Sequence, residues 1–166
     1  MVCDGSSHQG TITLGHSYTN SLDAASERLF LSIVTQKGLM AYGADCSNAF
    51  AEATPPKFPL YMLLDEAFRD CWENHLKREP IPDNCTVVQV HHAIQGHPES
   101  PRLWQKLIYS ILCNIKLQPT KKEPYLYMGI LNGYYTLFLW QLDDFAIAME
   151  NESTATYIIQ HINKYL

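Results

Sequence analysis

The sequence lacks the features of an exported or membrane-bound protein. Its longest apolar runs, such as residues 134–142, have the length of a strand and fall short of the roughly 20 residues that span a bilayer. The start, MVCDGSSHQG, does not show the basic and then apolar pattern of a secretion signal. The five cysteines form an odd set without a C-x-x-C pair, which favours free thiols over a disulfide framework. We therefore expect an intracellular protein, cytoplasmic or nuclear, that has no membrane partner.

Positive charge is also scarce. Lys and Arg number 12 against 17 Asp and Glu, which gives a formal net charge of −5 at pH 7. Because phosphate binding is driven by Lys and Arg, this balance argues against a general nucleic-acid coat protein. Residues 102–122 differ, since they carry only basic charges, at Arg102, Lys106, Lys116, Lys121 and Lys122. On charge alone this stretch is either the solvated surface of a helix or a local basic face.

Internal repeats, low-complexity tracts and linkers rich in Gly and Ser are absent as well. The length of 166 residues and the hydrophobic content of 46% suit one domain with one core. We expect residues 1–20 to be a polar, loosely ordered segment and residues 21–166 to form the folded domain.

Apolar residues at helical spacing predict the helices. The first begins with Ser21 as its N-cap and ends before Gly38. A second covers residues 103–115, with Pro101 in its first turn. A helix capped by Asp65 and running to residue 76, and another from residue 152 to the last residue, complete the helical part.

Short apolar runs predict the strands. They cover residues 39–44, 86–91, 125–131, 134–142 and 145–149. The first run leads directly into Asp45. Asn132-Gly133 separates the third run from the fourth and predicts a tight hairpin turn. The order of elements predicts an α+β fold in which an antiparallel sheet is packed on helices.

Two adjacent carboxylates, Asp143 and Asp144, lie between two apolar runs and are expected at the tip of a hairpin. An Asp-Asp pair by itself is more often a solvated turn. Its like charges repel, however, and a divalent cation such as Mg²⁺, which prefers hard oxygen ligands, removes that repulsion. Asp45, at the end of another strand, supplies a third carboxylate, and three convergent carboxylates suit two-metal phosphoryl transfer.

Both acidic segments resemble motifs of one enzyme family, the copia-type retrotransposon reverse transcriptases. D-C-S-N-A-F at residues 45–50 resembles the family's D-V-x-x-A-F. Q-L-D-D-F-A-I-A at residues 141–148 is similar to the family's Y-V-D-D-L-x-I-A.

A third segment between these two strengthens the resemblance. I-Q-G-H-P-E-S-P-R-L-W at residues 94–104 is similar to the family's L-Y-G-L-K-Q-A-P-R-x-W. The shared positions are Gly96, Pro101, Arg102 and Trp104. The three motifs stand in the family's order, and the resemblance covers nearly the whole chain from Asp23. The run after Asp45 resembles elements from algae such as diatoms.

The resemblance implies a truncated reverse transcriptase palm with partial fingers, without a thumb or RNase H region. It implies RNA-directed DNA synthesis in which Asp45, Asp143 and Asp144 are catalytic and bind two Mg²⁺ ions, with Mn²⁺ as a substitute. The implied substrates are an RNA or DNA template-primer and deoxynucleoside triphosphates. The rest of a retrotransposon polyprotein is an implied partner, inside a virus-like particle if the element is intact.

The resemblance also assigns binding residues. Phe50 is expected beneath the incoming sugar, where its ring crowds a ribose 2′-hydroxyl, although its position alone equally suits a core aromatic. Gly96 is expected to let the chain approach the nucleotide or template closely. Arg102 and Lys106 are expected to contact the nucleic-acid backbone.

Three residues depart from the family pattern, and one of them is Pro98, which stands where lysine is common. Gln141, which is expected to bind the nucleotide, replaces the usual tyrosine and keeps hydrogen-bonding capacity without the ring. Glu99 stands where glutamine is common and is expected to bring negative charge near the substrate path.

Other interpretations stay open. The principal rival to an active polymerase is a catalytically inactive remnant that at most binds nucleic acid. A weaker rival is another palm-like phosphoryl-transfer enzyme such as a nucleotide cyclase, which would not share the motif at residues 94–104. A zinc site at Cys85, His91, His92 and His97 is disfavoured, because adjacent histidines on a strand point to opposite faces.

Overall fold

The computed structural model of the chain describes residues 22–57 and 60–166. The expected loose segment, residues 1–20, and the expected N-cap Ser21 lie outside these residues. The helices are α1 (Ala24–Lys37), α2 (Ala49–Glu52), α3 (Glu66–Asp70), α4 (Ser100–Asn114) and α5 (Glu152–Ile162), and a π-helical turn (Cys71–His75) extends α3. The longest, α4, has 15 residues. Within the described ranges no helix is long and apolar enough to cross a membrane.

The strands confirm the expected α+β fold with an antiparallel sheet. They are β1 (Met40–Asp45), β2 (Leu60–Leu63), β3 (Val87–Val90), β4 (Gln118–Pro119), β5 (Leu126–Leu131), β6 (Tyr134–Gln141) and β7 (Asp144–Met149). Five of them form one sheet in the order β1-β7-β6-β5-β4, while β2 and β3 pair separately. All pairs are antiparallel.

The hairpin predicted at Asn132-Gly133 is confirmed and joins β5 to β6. Leu131 pairs with Tyr134, so the loop has two residues. Their φ angles, 53° for Asn132 and 87° for Gly133, are both positive, as the tight turn of a hairpin requires.

The first helix begins two residues later than predicted. Its N-cap is Asp23, whose carboxylate accepts a hydrogen bond from the backbone N–H of Ala25 at 3.2 Å. Serine and aspartate cap helices about equally well, so local sequence does not choose between them. The predicted end is confirmed, because Gly38 follows the helix with a left-handed φ of 62°.

Two predictions of helix length were wrong. The helix after Asp65 is α-helical only to Asp70 and continues as the π-helical turn, although Asp65 caps it as predicted by accepting from Phe68 N at 2.7 Å. The last helix ends at Ile162 instead of running to the last residue. The short elements α2, β2 and β4 were not predicted, because two to four residues are too few to show periodicity.

Helices cover both faces of the large sheet. On one face, α1 packs Phe30 near Leu139. The other face is formed by alternate strand residues such as Phe138. There α4 and α5 contribute Trp104 and Ile158 to the main core. Strand β1 forms one edge of the sheet. After its last residue, Asp45, a short loop leads to α2.

Candidate functional site

Three of the predicted residues lie in one row across the sheet, which we call the acidic row: Asp45, Asp144 and Gln141. Asp45, at the end of β1, pairs with Asp144, which in turn pairs with Gln141 at the end of β6. All three side chains are exposed. Directly opposed residues on antiparallel strands share a face, with Cβ atoms about 4.5–5.5 Å apart. The carboxylates of Asp45 and Asp144 are therefore neighbours, and like charges in this position are destabilising.

The third predicted carboxylate, Asp143, lies in the two-residue turn between β6 and β7, which we call the acidic turn (Leu142-Asp143). Leu142 has a φ of 56°, a left-handed conformation that leucine rarely adopts. The backbone N–H of Cys46 donates to the carbonyl of Asp143 at 2.9 Å. The indole N–H of Trp104 donates to the carbonyl of Leu142 at 2.6 Å. The turn is thus tied both to the end of β1 and to α4.

The buried thiol of Cys46 reflects the density of carboxylates at this end of the sheet. Cys46 is only 7% exposed. Its pKa is raised first by burial and then by the negative charges of Glu52, Asp45 and Asp143. Glu52, at the end of α2, is therefore a fourth carboxylate near the acidic row. The sequence analysis assigned Glu52 no role, because the four residues of α2 are too few to show a helical pattern.

The donor set suits a hard divalent cation, although its side chains do not form a ready-made centre. Among residues 22–57 and 60–166, no three His, Cys, Asp or Glu side chains are arranged to hold a metal ion. Asp45 and Asp144 are exposed and lie directly opposite each other on paired strands, so a cation bound between their carboxylates would offset their repulsion. Carboxylate oxygens are the ligands of Mg²⁺ and Mn²⁺.

A cavity of about 390 Å³ opens beside the acidic turn. Its lining comes from three separate segments: Asn48, Ala49, Phe50, Ala51, Ile94, Gln95 and Asp143. The ring of Phe50 is half-buried and also packs against the main core. Phe50 therefore lines the cavity and also packs as a core aromatic, and its position beneath an incoming sugar stays a prediction.

The Gly96 turn shapes the backbone next to this cavity. The backbone N–H of His97 donates to the carbonyl of Ile94 at 3.1 Å, and Gly96 has a φ of 88°, as the third residue of a type II turn requires. The hydroxyl of Ser100 donates to the same carbonyl at 2.7 Å and fastens the turn to α4. The residue that the turn presents to the cavity is Gln95, which the sequence analysis did not single out because glutamine carries no distinctive pattern.

The predicted basic residues lie apart from the cavity. Arg102 and Lys106 are four residues apart on α4, so they share one side of the helix. Lys106 is exposed and Arg102 is half-exposed. Tyr109, 49% exposed, continues the same side. This surface has the charge and the aromatic ring to meet a nucleic-acid backbone, but neither basic residue lines the cavity beside Asp143.

Glu99, expected near the substrate path, is buried in the fold. This residue precedes α4 and is only 4% exposed, so its carboxylate is withdrawn from the surface. Within the described part of the chain, its Oε2 has no hydrogen-bond partner.

Comparisons with protein-family models, with curated proteins and with solved structures find no match to this chain.

Proposed function

We propose that the chain is a fragment of an RNA-directed DNA polymerase of the copia retrotransposon type, with partial fingers and a palm that performs two-metal nucleotidyl transfer. The observation that carries the proposal is the register of the sheet, in which Asp45 lies directly opposite Asp144 and beside the turn that holds Asp143. Residues far apart in the sequence thus meet at one end of the sheet. The intracellular location and the rest of a retrotransposon polyprotein as a partner belong to the same proposal.

Asp45 and Asp144 of the acidic row, with Asp143 of the acidic turn, would form the catalytic centre. These carboxylates would hold two divalent ions, which would supply Lewis-acid chemistry at the primer 3′-hydroxyl and at the leaving pyrophosphate. Asp45 and Asp144 present their carboxylates from paired strands, which fixes the spacing between them. The 3′-oxygen bonds to the α-phosphorus, the bond from that phosphorus to the bridging oxygen of the β-phosphate breaks, and the hydroxyl proton passes to solvent.

The cavity beside Asp143 would hold the incoming deoxynucleotide. The ring of Phe50 supplies an apolar wall for a deoxyribose, and a 2′-hydroxyl would crowd against it. The amide of Gln95 offers both a donor and an acceptor to the sugar or the phosphates. Gln141, exposed at the end of β6, belongs to the acidic row, does not line the cavity and would face the primer end.

The test is Mg²⁺-dependent primer extension on an RNA template. The 166-residue chain and a version extended with flanking retrotransposon sequence are each compared with their Asp143→Asn variants. We expect extension to fall at least a hundredfold in Asp143→Asn, because one oxygen ligand of the metal is lost. The control is Asp83→Asn, which changes an exposed aspartate in a turn outside the site. Equal extension by Asp143→Asn and the unchanged chain would rule out the proposed role.

A specific observation favours a second candidate, an inactive remnant that binds nucleic acid. Among the residues that line the cavity beside Asp143, none is Lys or Arg, so a triphosphate would meet no positive charge there. This candidate predicts that the chain binds a template-primer through Arg102 and Lys106, with an affinity that falls steeply as salt rises, and that it shows no extension in any variant.

A further inference from the structure

The acidic turn adopts a conformation that its own residues do not favour. Leu142 has a φ of 56°, where a side chain with a Cβ is crowded against the backbone. Its side chain is 47% exposed, so burial of the leucine does not compensate for the crowding. A turn of this kind persists only when the surrounding structure holds it.

The surrounding structure supplies that hold through a tryptophan. The indole of Trp104 is completely buried in the main core, so its position is set by packing on all sides. From there its Nε1–H donates to the carbonyl of Leu142 at 2.6 Å, which is the peptide oxygen immediately before Asp143. A donor with little freedom to move is thus bonded to the strained residue.

The same helix also fastens the wall of the cavity. Trp104 lies one turn after Ser100, whose hydroxyl holds the carbonyl of Ile94 at 2.7 Å. The first turns of α4 therefore bond both to the cavity wall around Gln95 and to the acidic turn. A displacement of the cavity wall would therefore be transmitted through α4 to the acidic turn, and the reverse also holds.

We propose that Trp104 is a positioning residue, whose indole N–H holds the acidic turn in the left-handed conformation that sets Asp143 beside Asp45 and Asp144. Its effect on metal binding and catalysis rests on the proposed function. Its effect on the order of the turn does not, and the two are measured separately.

Trp140 provides a matched control. It is 3% exposed and belongs to the same core, but its indole N–H lies beside the hydroxyl of Tyr127 and makes no hydrogen bond to the acidic turn. Trp104→Phe and Trp140→Phe therefore remove the same atoms from the same core. Only the first of these changes deletes a hydrogen bond to the acidic turn.

The experiment measures two quantities on the 166-residue chain. Affinity for Mn²⁺ alone is followed by electron paramagnetic resonance of the free ion, and the order of Leu142 and Asp143 is followed by amide nitrogen relaxation. We expect Trp104→Phe to weaken Mn²⁺ binding at least fivefold and to lower the order of the turn, with Trp140→Phe within twofold of the unchanged chain. In Trp104→Phe/Leu142→Gly, glycine adopts the left-handed φ without help and restores most of the affinity.

Each result decides the matter. Equal behaviour of the two phenylalanine variants in both measurements overturns the role of Trp104. If the unchanged chain does not bind Mn²⁺, the proposed metal site is wrong, and the role of Trp104 in the acidic turn is then decided by the relaxation data alone. In that case loss of order only in Trp104→Phe supports the positioning role, and unchanged order contradicts it.

Discussion

Asp45 and Asp144 are the one charged pair in the ladder between β1 and β7. The other five pairs of this ladder, from Met40 with Met149 to Ala44 with Phe145, join apolar side chains or glycine. Opposed carboxylates weaken a strand pair that the remaining residues would support. A local violation of this kind, in an otherwise consistent ladder, is typical of a functional site.

Replacement of Asp144 by asparagine should therefore stabilise the protein when no divalent ion is present. We expect the free energy of unfolding to rise by about 0.2–1 kcal/mol, because one of two like charges is removed. With saturating MgCl₂ the unchanged chain should become more stable than Asp144→Asn, since the ion stabilises only the chain that binds it well. Urea unfolding in EDTA and in MgCl₂ measures both effects.

The control for this change is Asp83→Asn, at an exposed turn outside the site. Its free energy of unfolding should respond to MgCl₂ as that of the unchanged chain does. An equal Mg²⁺ response in Asp144→Asn would show that the acidic row does not bind the ion.

The hydroxyl of Ser26 on α1 should contribute strongly to stability. It donates to Oε2 of Glu123 at 2.7 Å, and both residues are only 9% exposed. The other carboxylate oxygen of Glu123 accepts from the backbone N–H of Tyr125 at 3.1 Å. Ser26→Ala leaves a buried carboxylate short of a donor and should destabilise the fold by about 1–3 kcal/mol in urea unfolding. Ser110→Ala, at an exposed hydroxyl, should change stability by less than about 0.5 kcal/mol.

Gly129 in β5 should not tolerate a methyl group. A Cβ there would lie 2.7 Å from the carbonyl oxygen of Lys116 and 3.0 Å from the side chain of Leu117. Because backbone cannot move aside easily, we expect Gly129→Ala to cost about 1–3 kcal/mol. Gly43→Ala is the matched change in another strand, where the nearest atom is 4.0 Å away. Thermal unfolding should show a lower midpoint only for the Gly129 variant, and equal midpoints would contradict the close approach.

The buried hydroxyl of Tyr127 should make the fold sensitive to alkali. Its pKa is raised well above the usual 10.0, first by burial and then by the nearby Cys113 thiol. Above about pH 10 the unfolded chain loses this proton while the folded chain keeps it. The free energy of unfolding therefore falls as the pH rises from about 10 toward the raised pKa of Tyr127. Tyr127→Phe removes the ionisation, and its free energy of unfolding should fall less steeply with pH.

Urea unfolding at a series of alkaline pH values checks this prediction. Tyr61→Phe, which alters a ring that is 60% exposed, is the control and should leave the slope unchanged. Identical slopes for the unchanged chain and Tyr127→Phe would contradict the prediction. Three other tyrosines, Tyr42, Tyr109 and Tyr135, also have raised pKa values, so part of the decline in stability should remain in Tyr127→Phe.

Much of the fold was predictable because the strong signals are local. The apolar stripe of α4, the Asn132-Gly133 turn and the apolar run of β6 all act over a few residues, and each predicted element formed. The elements that were missed or too long depend on contacts between distant segments. The π-helical turn after Asp70 and the four-residue α2 are examples, because neither has a periodic pattern of its own.

The candidate site divides in the same way. By itself, the sequence determined which residues could supply the proposed chemistry, since the carboxylates of Asp45, Asp143 and Asp144 and the ring of Phe50 are properties of residue type. Only the tertiary structure decided that Asp45 lies opposite Asp144, that Gln95 lines the cavity, and that Trp104 holds the acidic turn. The physical reason is that strand register and helix packing are set by the burial of the whole core, which no short segment contains.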